Sequence, residues 1–323
     1  MRQVKIFAGS SHPELANLIS ERLGHPLAPI VSKKFSNGET GVEVGASVRD
    51  EDVFIIQSGS GKVNDNLMEL LILVNACKTA SARRITVIVP YYPYSKQSKK
   101  KQQRGAITAK LIANMLNVAG ADHFITMDLH ASQMQGFFQK PIDNLFAEPS
   151  ITKWIKDRVP DYRSGVVVAK NAGGAKRVTS LADSLDLDFA IIHNDGQGFL
   201  PGEKEEGITL VGEVENKVAF LVDDMCDKVG SFIQAAEYLM KIGKAQRVII
   251  IATHGILSGD ALPSIECCES IHQIVVTNTY PIPEEKRRMS SKLVIIDISG
   301  TFAEAIRRTH NGESISYLFK TPL

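Results

Sequence analysis

The segment Phe220–Ser231, FLVDDMCDKVGS, has the order of an apolar strand, a polar turn and a helix. Two adjacent carboxylates, Asp223 and Asp224, end the apolar run, and Asp227 and Gly230 follow. Carboxylates accept hydrogen bonds from both hydroxyls of a ribose diol, and helix N-termini bind phosphate. An acid pair after a buried strand is costly without a ligand. We therefore interpret the segment as a sugar-phosphate cradle; the alternative is that the acids are only charges at a helix N-terminus.

Outward from this segment, short apolar runs rich in β-branched residues alternate with stretches of helical spacing. The predicted strands are Val4–Ala8, Val53–Gln57, Ile85–Pro90, Phe124–Met127, Val166–Ala169, Phe189–His193, Val218–Val222, Val248–Ala252, Ile274–Thr277 and Leu293–Ile298. The predicted helices are Pro13–Leu23, Leu67–Lys78, Thr108–Ala119, Lys176–Leu185, Phe232–Ile242 and Phe302–Thr309. This alternation predicts an α/β fold with mainly parallel sheets covered on both faces.

The chain length of 323 residues favours two domains. Ten predicted strands fit two doubly wound halves better than one sheet, and a break near Pro141–Pro149 divides them evenly. We therefore predict one domain over residues 1–146 and a second over 147–323.

The overall composition is that of an ordinary globular protein, and its net charge of +1 does not favour nucleic acid or an acidic membrane as a partner. The four cysteines lack CxxC spacing, so we expect reduced thiols and no zinc site. No signal-peptide pattern and no run of about 18 apolar residues is present, so we expect a cytoplasmic protein.

Two polar segments interrupt the pattern, each after a predicted strand. Tyr91–Gly105 is basic, and Asn194–Gly207 is rich in glycine and charge. Ligands of open α/β sheets bind outside the carboxyl ends of strands, so both are candidate active-site flaps; the alternative is a solvated linker. The basic run Lys96–Arg104 also permits nucleic-acid binding, although a phosphate-binding flap explains it equally well.

Two further strand ends carry polar residues. Val166–Arg177 reads as a strand, a glycine-rich turn and a helix, and the turn can approach a phosphate closely. In Ile125–Gln135, Asp128 and His130 are two residues apart after a strand, which predicts that they face the same side. Such a pair can hold a metal-bound nucleotide phosphate.

The chain resembles the ribose-phosphate pyrophosphokinase family, also called PRPP synthetases, along essentially its whole length. The segments that carry the resemblance are Lys34–Glu39 (KFSNGE), Ser47–Ser60 (SVRDEDVFIIQSGS), Met127–Phe138 (MDLHASQMQGFF), Pro141–Pro149 (PIDNLFAEP), Asn171–Arg177 (NAGGAKR), Val222–Met225 (VDDM), Thr253–Gly259 (THGILSG) and His310–Phe319 (HNGESISYLF). The resemblance implies two phosphoribosyltransferase-like domains. It also implies transfer of a diphosphoryl group from ATP, with Mg²⁺, to ribose 5-phosphate, and assembly into dimers and hexamers.

The resemblance also implies roles for individual residues. Lys96 and His130 would be catalytic. ATP would be bound by Phe35, Asn37, Glu39, Lys96, Gln97 and His130, and metal by Asp128, His130 and Asn171. Ribose 5-phosphate would be bound by Asp223, Asp224, Asp227, Lys228, Val229, Gly230 and Ser231, and the pyrophosphate loop would be Asn171, Ala172, Gly173 and Gly174. An allosteric site for phosphate or ADP would comprise Ser47, Arg49, Ser81, Ser314 and Ser316.

The departures from the family pattern fall on residues that the resemblance makes catalytic. Asn194 and Gly196 stand where the family has its catalytic lysine and arginine, and Lys96 stands where it has an ATP-binding arginine. Asn171 replaces an aspartate that could serve magnesium, and the 5-phosphate loop reads DKVGS instead of DTAGT. A cation that stabilises the transferring group is worth about 10³–10⁵ in rate, so these changes predict a loss of activity.

Besides nucleic-acid binding through Lys96–Arg104, which is the weakest option, three functions remain open. The first is a weakly active structural or regulatory subunit that joins paralogous PRPP synthetase subunits in a hetero-oligomer, as PRPP synthetase-associated proteins do. The second is a competent PRPP synthetase that uses Lys96, Lys99, Lys100 or Lys204 instead. The third is a phosphoribosyltransferase, which shares the fold and the cradle but not the KFSNGE and MDLHA segments.

Overall fold

The computed structural model describes residues 4–100, 104–194 and 208–321, which form two compact units. The first unit comprises Met1–Ala147, Asn278–Pro281 and Asp297–Leu323, and the second comprises Glu148–Thr277 and Ile282–Ile296. The first unit's N-terminal segment ends at Ala147, one residue after the predicted boundary at residue 146. The sequence pattern predicts that all of 147–323 belongs to the second domain, whereas this division returns Asn278–Pro281 and Asp297–Leu323 to the first unit.

A five-stranded parallel sheet with the order β1-β4-β5-β6-β7 organises the first unit. Its strands are β1 (Val4–Ala8), β4 (Asp52–Ile56), β5 (Arg84–Val89), β6 (His123–Met127) and β7 (Ile142–Leu145), and a separate antiparallel hairpin joins β2 (Ile30–Lys34) to β3 (Thr40–Val44). Its helices are α1 (Pro13–Leu23), α2 (Val63–Thr79), α3 (Thr108–Ala119) and α9 (Ser299–Asn311). Every residue of β4 and β6 is buried, as expected for a parallel sheet covered on both faces.

A seven-stranded sheet with the order β10-β9-β8-β11-β12-β13-β14 organises the second unit, and only the β10–β9 pair is antiparallel. Its strands are β8 (Gly165–Ala169), β9 (Asp188–Asn194), β10 (Ile208–Val211), β11 (Val218–Cys226), β12 (Arg247–Gly255), β13 (Gln273–Thr277) and β14 (Leu293–Ile296). Its helices are α4 (Glu148–Arg158), α5 (Ala175–Leu185), α6 (Gly230–Lys241), α7 (Ala261–Cys267) and α8 (Glu284–Arg287). The predicted α/β class with mainly parallel sheets is confirmed.

Local chemistry explains where the predicted helices begin and end. The helix α1 has Pro13 in its first turn, and the His12 ring accepts a hydrogen bond from the Leu15 amide. It ends at Gly24, whose φ of 63° lies in the left-handed region that glycine adopts without strain. The bounds predicted for α1 and α3 are confirmed to the residue.

Interior strands of both sheets lead into several of the predicted site residues. β8 and β11 are parallel neighbours, and Ala169 pairs with Val222 at their carboxyl ends. In the first unit, β5 and β6 lead into the Tyr91 and Asp128 segments. Within the described residues, no helix is both long enough and apolar enough to cross a membrane.

Candidate active site

The acid pair of the second unit lies within a strand and not after it. β11 extends to Cys226, so the expectation that Asp223 and Asp224 follow the end of the strand is wrong. Asp224 is buried, with 5% of its surface exposed, and its amide donates a hydrogen bond of 2.9 Å to Oδ1 of Asp223. Asp224 is therefore buried and Asp223 is partly buried beside it, an arrangement that costs free energy unless partners offset the charges.

A lysine compensates for part of that cost. Lys170 directly follows β8, and its Nζ lies 2.8 Å from Oδ2 of Asp223 on the neighbouring strand. The ammonium also lies 4.0 Å from the centroid of the Phe232 ring, a cation–π contact. The Lys170 and Asp223 side chains are only 18% and 20% exposed, so this pair is shielded from solvent.

The electrostatics of Asp223 reflect three neighbours. Burial raises the pKa of the Asp223 carboxyl above its ordinary value, because removal from water disfavours the charged form. Lys170 lowers this pKa, and the Asp224 carboxylate raises it again. The lysine is thus the main favourable partner of the Asp223 charge.

Lys170 was not among the predicted site residues. A signal for it exists in the sequence, since it is a charged residue at the end of a fully apolar strand and directly precedes the glycine-rich turn. What the sequence does not reveal is that β8 and β11 are adjacent, which places Lys170 beside Asp223.

The segment predicted to bind the 5-phosphate forms the turn between β11 and α6. Asp227 and Ser231 are partly buried, Lys228 is exposed, and a side chain added at Gly230 would meet nothing within 4 Å. Val229 is different, because its side chain packs in the hydrophobic core of the unit. Only its backbone can therefore serve the predicted phosphate site.

The predicted pyrophosphate loop is a short 3₁₀ helix, Ala172–Gly174, between β8 and α5. Asn171, Ala172 and Gly173 are exposed, and Gly174 donates a hydrogen bond of 3.1 Å to the Asn171 carbonyl. The loop therefore presents exposed backbone next to Lys170 and the acid pair.

In the first unit, Asp128 has a left-handed backbone, with a φ of 42°. The strand ends at Met127, so the alternation of side chains along a strand does not apply to Asp128 and His130, and their predicted placement on one side does not follow from it. Asp128 is buried and its Oδ2 accepts a hydrogen bond of 3.1 Å from the Ala147 amide, whereas His130 is exposed.

The basic segment after β5 begins with ordered structure. Ser95–Gln97 form a 3₁₀ helix, and the Tyr94 hydroxyl donates to Oδ1 of Asn64. Lys96 and Gln97 are exposed, and Oε1 of Gln97 accepts a hydrogen bond of 2.6 Å from Thr108. Lys99 and Lys100 are exposed as well, and residues 101–103 lie outside the described residues.

The predicted adenine-binding residues share the tip of the β2–β3 hairpin. Phe35, Asn37 and Glu39 are all exposed. The Phe35 amide donates to the Glu39 carbonyl at 2.9 Å, and the Glu39 amide donates to Oδ1 of Asn37 at 3.1 Å. The ring of Phe35 covers Gly41, where an added side chain would lie 2.8 Å from the ring. The tip thus presents one aromatic and two polar side chains together.

The five predicted allosteric residues fall into two exposed groups within the first unit. Arg49 pairs with Ala82 in an isolated β-bridge, and the Ser81 carbonyl accepts from the Asp50 amide, which brings Ser47, Arg49 and Ser81 into one region. Ser314 and Ser316 hydrogen-bond to each other at 3.1 Å.

The segment with the altered catalytic positions is described only at its start. Asn194 is the last residue of β9. Gly196 and Lys204 lie outside the described residues.

The acid pair does not fit a resident divalent cation. A metal ion bound to Asp223 would come close to the Lys170 ammonium, and two unit positive charges about 4 Å apart repel by roughly 4 kcal/mol at an effective dielectric constant of about 20. Asn171, the neighbouring predicted ligand, carries no charge. Across residues 4–100, 104–194 and 208–321, no three His, Cys, Asp or Glu side chains form a group that could hold a metal ion.

Comparison with known proteins identifies the family. Residues 4–120 match the N-terminal domain of ribose phosphate pyrophosphokinase, and residues 198–320 match the phosphoribosyl synthetase-associated domain. The chain is 47% identical to ribose-phosphate pyrophosphokinase 1 of Schizosaccharomyces pombe in an alignment of 406 positions, gaps included, that covers 99% of each chain. It is 38% identical to the phosphoribosylpyrophosphate synthetase of Mycobacterium smegmatis, whose crystal structure matches with a TM-score of 0.89 over 96% of this chain and 100% of that one. The chain belongs to the ribose-phosphate pyrophosphokinase family, with its phosphoribosyltransferase-like fold.

Proposed function

We propose that this chain is a cytoplasmic ribose-phosphate pyrophosphokinase subunit with weak activity of its own, which acts structurally or as a regulator with paralogous subunits in a hetero-oligomer. The family reaction converts ATP and ribose 5-phosphate to AMP and PRPP. The observation that carries the proposal is the pair Asn194 and Gly196, where the family resemblance implies a lysine and an arginine. Neither replacement can neutralise the charge of a transferring diphosphoryl group.

The expected size of this effect is large. Phosphoryl transfer depends on positioning and on cations that stabilise charge on the equatorial oxygens. Loss of one such cation reduces the rate by about 10³–10⁵ in related systems. Lys96 keeps a positive charge but lacks the planar bidentate fork of an arginine.

Binding of the sugar phosphate is the function that the second unit supports best. Asp223 and Asp224 supply carboxylates for the ribose hydroxyls, and the turn from Asp227 to Ser231 leads into the N-terminus of α6. The exposed loop Asn171–Gly174 is assigned to the diphosphate.

Binding of ATP, as its magnesium complex, is assigned to the first unit. The exposed hairpin residues Phe35, Asn37 and Glu39 are suited to an adenine ring and its polar edge. Lys96, Gln97, Asp128 and His130 are assigned to the phosphates and their metal ion, which enters as part of the substrate. Ser47, Arg49, Ser81, Ser314 and Ser316 are assigned to an allosteric phosphate or ADP.

The direct test is AMP formation from ATP and ribose 5-phosphate by the purified chain alone and with a co-purified paralogous subunit. We expect little turnover alone and stimulation or stabilisation of the paralogue. Turnover alone at the rate of ordinary family members would contradict the proposal and favour catalysis by Lys96, Lys99, Lys100 or Lys204.

A gain-of-function variant makes the test sharper. The double substitution Asn194→Lys and Gly196→Arg restores the two cations implied by the family pattern. We expect it to raise turnover by about 10³-fold or more, since one such cation changes the rate by about 10³–10⁵. The charge-matched control is Asn17→Lys with Val118→Arg, which adds the same two charges at exposed positions of α1 and α3 outside the site and leaves turnover unchanged. An unchanged rate in the double variant would show that Asn194 and Gly196 are not the cause of weak turnover.

A further inference from the structure

The ion pair between Lys170 and Asp223 places a positive charge in the proposed ribose-phosphate site. Both residues belong to the second unit: Lys170 directly follows β8, and Asp223 lies within the adjacent strand β11. Asp223 fixes one side of the ammonium at 2.8 Å, and the buried Phe232 ring fixes another at 4.0 Å. An ammonium held by two largely buried neighbours is a positioned cation and not a mobile surface charge.

The position of Lys170 along the chain connects this cation to the diphosphate. Lys170 directly precedes the loop Asn171–Gly174, whose exposed backbone is the proposed diphosphate site. A lysine ammonium has three N–H donors, and the contact with Asp223 uses one of them. Hydrogen bonds from a charged donor to an anionic oxygen are about twice as strong as neutral ones. Lys170 thus contacts one of the acids assigned to the ribose and directly precedes the loop assigned to the diphosphate.

We propose that Lys170 is the built-in cation of this site, so that a sugar diphosphate binds to the second unit without a divalent metal ion. The inference rests on the proposed sugar-phosphate function of the acid pair and adds a specificity to it. A sugar diphosphate brings several negative charges beside Asp223 and Asp224, and a positive charge must offset them. Lys170 provides that charge at the place where a metal ion would meet repulsion, and the neutral Asn171 does not recruit a metal ion.

A purely structural role for Lys170 gives a different expectation. If the lysine only compensates the buried Asp223 carboxylate, its removal lowers stability, but it does not change how binding depends on a metal ion. The metal dependence of binding therefore separates the two roles.

The experiment is calorimetric titration of the full chain with PRPP, once with excess EDTA and once with Mg²⁺. We expect wild-type affinities that agree within about twofold between the two conditions. Lys170→Met should lose roughly tenfold to a hundredfold in affinity in EDTA, the range of a charged hydrogen bond, and should recover much of it with Mg²⁺. Lys170→Arg, which keeps the charge, should retain metal-free binding.

The controls separate failure of this inference from failure of the proposed function. Lys241→Met removes an exposed lysine paired with Glu237 in the same unit and should bind as wild type does. Lys170→Gln, whose amide can still donate to Asp223, replaces the methionine variant if that variant does not fold. Wild-type binding that requires Mg²⁺, or equal metal dependence in wild type and Lys170→Met, overturns the inference and leaves the proposed function intact. No PRPP binding by wild type in either condition overturns both.

Discussion

His310, near the end of α9, places its Nδ1 atom 2.9 Å from Oδ2 of Asp52, the first residue of β4. The Asp52 side chain is only 7% exposed, so this contact is nearly sealed from solvent. It connects the C-terminal helix to a strand that begins more than two hundred residues earlier. The contact is therefore part of what holds the returning segment in the first unit.

Removal of the His310 ring should destabilise the first unit. His310→Ala leaves a buried carboxylate without its hydrogen-bond partner, which costs about 1–3 kcal/mol. Urea unfolding curves measure the change. His272→Ala, which removes an exposed histidine side chain, is the control and should change stability by less than about 0.5 kcal/mol. Equal effects of the two substitutions would show that the contact with Asp52 contributes nothing.

Glu304 should make stability depend on pH in acid. Hydrogen bonds from Arg307, and then from Arg308, lower the pKa of Glu304 to about 2 from its ordinary value of 4.5, against the opposing effect of burial. Because the folded pKa is the lower one, the stabilisation is complete above about pH 4.5 and is lost as the pH falls toward 2. The Tm gap between wild type and Glu304→Gln should therefore narrow from pH 7 to pH 3.

A control for that prediction is Glu237→Gln, which removes an exposed pair with Lys241. Exposed pairs of this kind contribute little, so this variant should show a small Tm gap at every pH. A gap for Glu304→Gln that stays constant down to pH 3 would contradict the assignment of the acid dependence to Glu304.

Phe232 should be important for both stability and the position of Lys170. Its ring is 1% exposed in the core of the second unit, so Phe232→Ala should cost about 3–5 kcal/mol. Phe189→Ala, at a ring that is 46% exposed, is the matched control and should cost roughly 1 kcal/mol or less. Chemical denaturation compares them. Phe232→Leu keeps most of the packing but removes the cation–π contact, and a stability equal to that of wild type would argue against a contribution from that contact.

The cysteines should differ sharply in reactivity. Burial raises the pKa of the Cys77 thiol to about 11, whereas Cys267 is exposed. Because the thiolate is the nucleophile, iodoacetamide at pH 8 should label Cys267 first and leave Cys77 unmodified until the chain unfolds. Peptide mass spectrometry locates the label, and Cys267→Ser should abolish the fast phase. Fast labelling of Cys77 in the folded protein would contradict its burial.

The buried parallel strands and the amphipathic helices were predictable because their patterns are long and regular. The β2–β3 hairpin was missed because it is largely exposed and its polar run, SKKFSNGE, lacks the apolar alternation of a strand. The strand β7 was missed because Ile142–Leu145 lies inside the segment read as a domain break. Both errors concern elements of only four or five residues, which are too short to show a regular apolar pattern.

The sequence was enough to predict which segments form the candidate site, but not how their side chains are arranged in space. The acid pair and the glycine-rich turn were recognisable from local sequence. Lys170 was not, because its role depends on the pairing of β8 with β11, which lie about fifty residues apart. The left-handed backbone of Asp128 was equally invisible, since an ordinary strand exit would have continued the alternation. The family resemblance implied roles for the predicted residues, and the tertiary structure showed which side chains lie next to them.

The return of the chain to the first unit has a consequence for biosynthesis. The helix α1 packs against α9, and α9 buries Phe302, Ala305 and Ile306. A nascent chain therefore cannot finish its first unit when its first half leaves the ribosome, although the segment that forms most of the second unit has already emerged before α9 is translated. Domains usually fold in order from the N-terminus. Here the second unit can fold before the first unit is complete, and the apolar face of α1 stays uncovered until α9 has been synthesised.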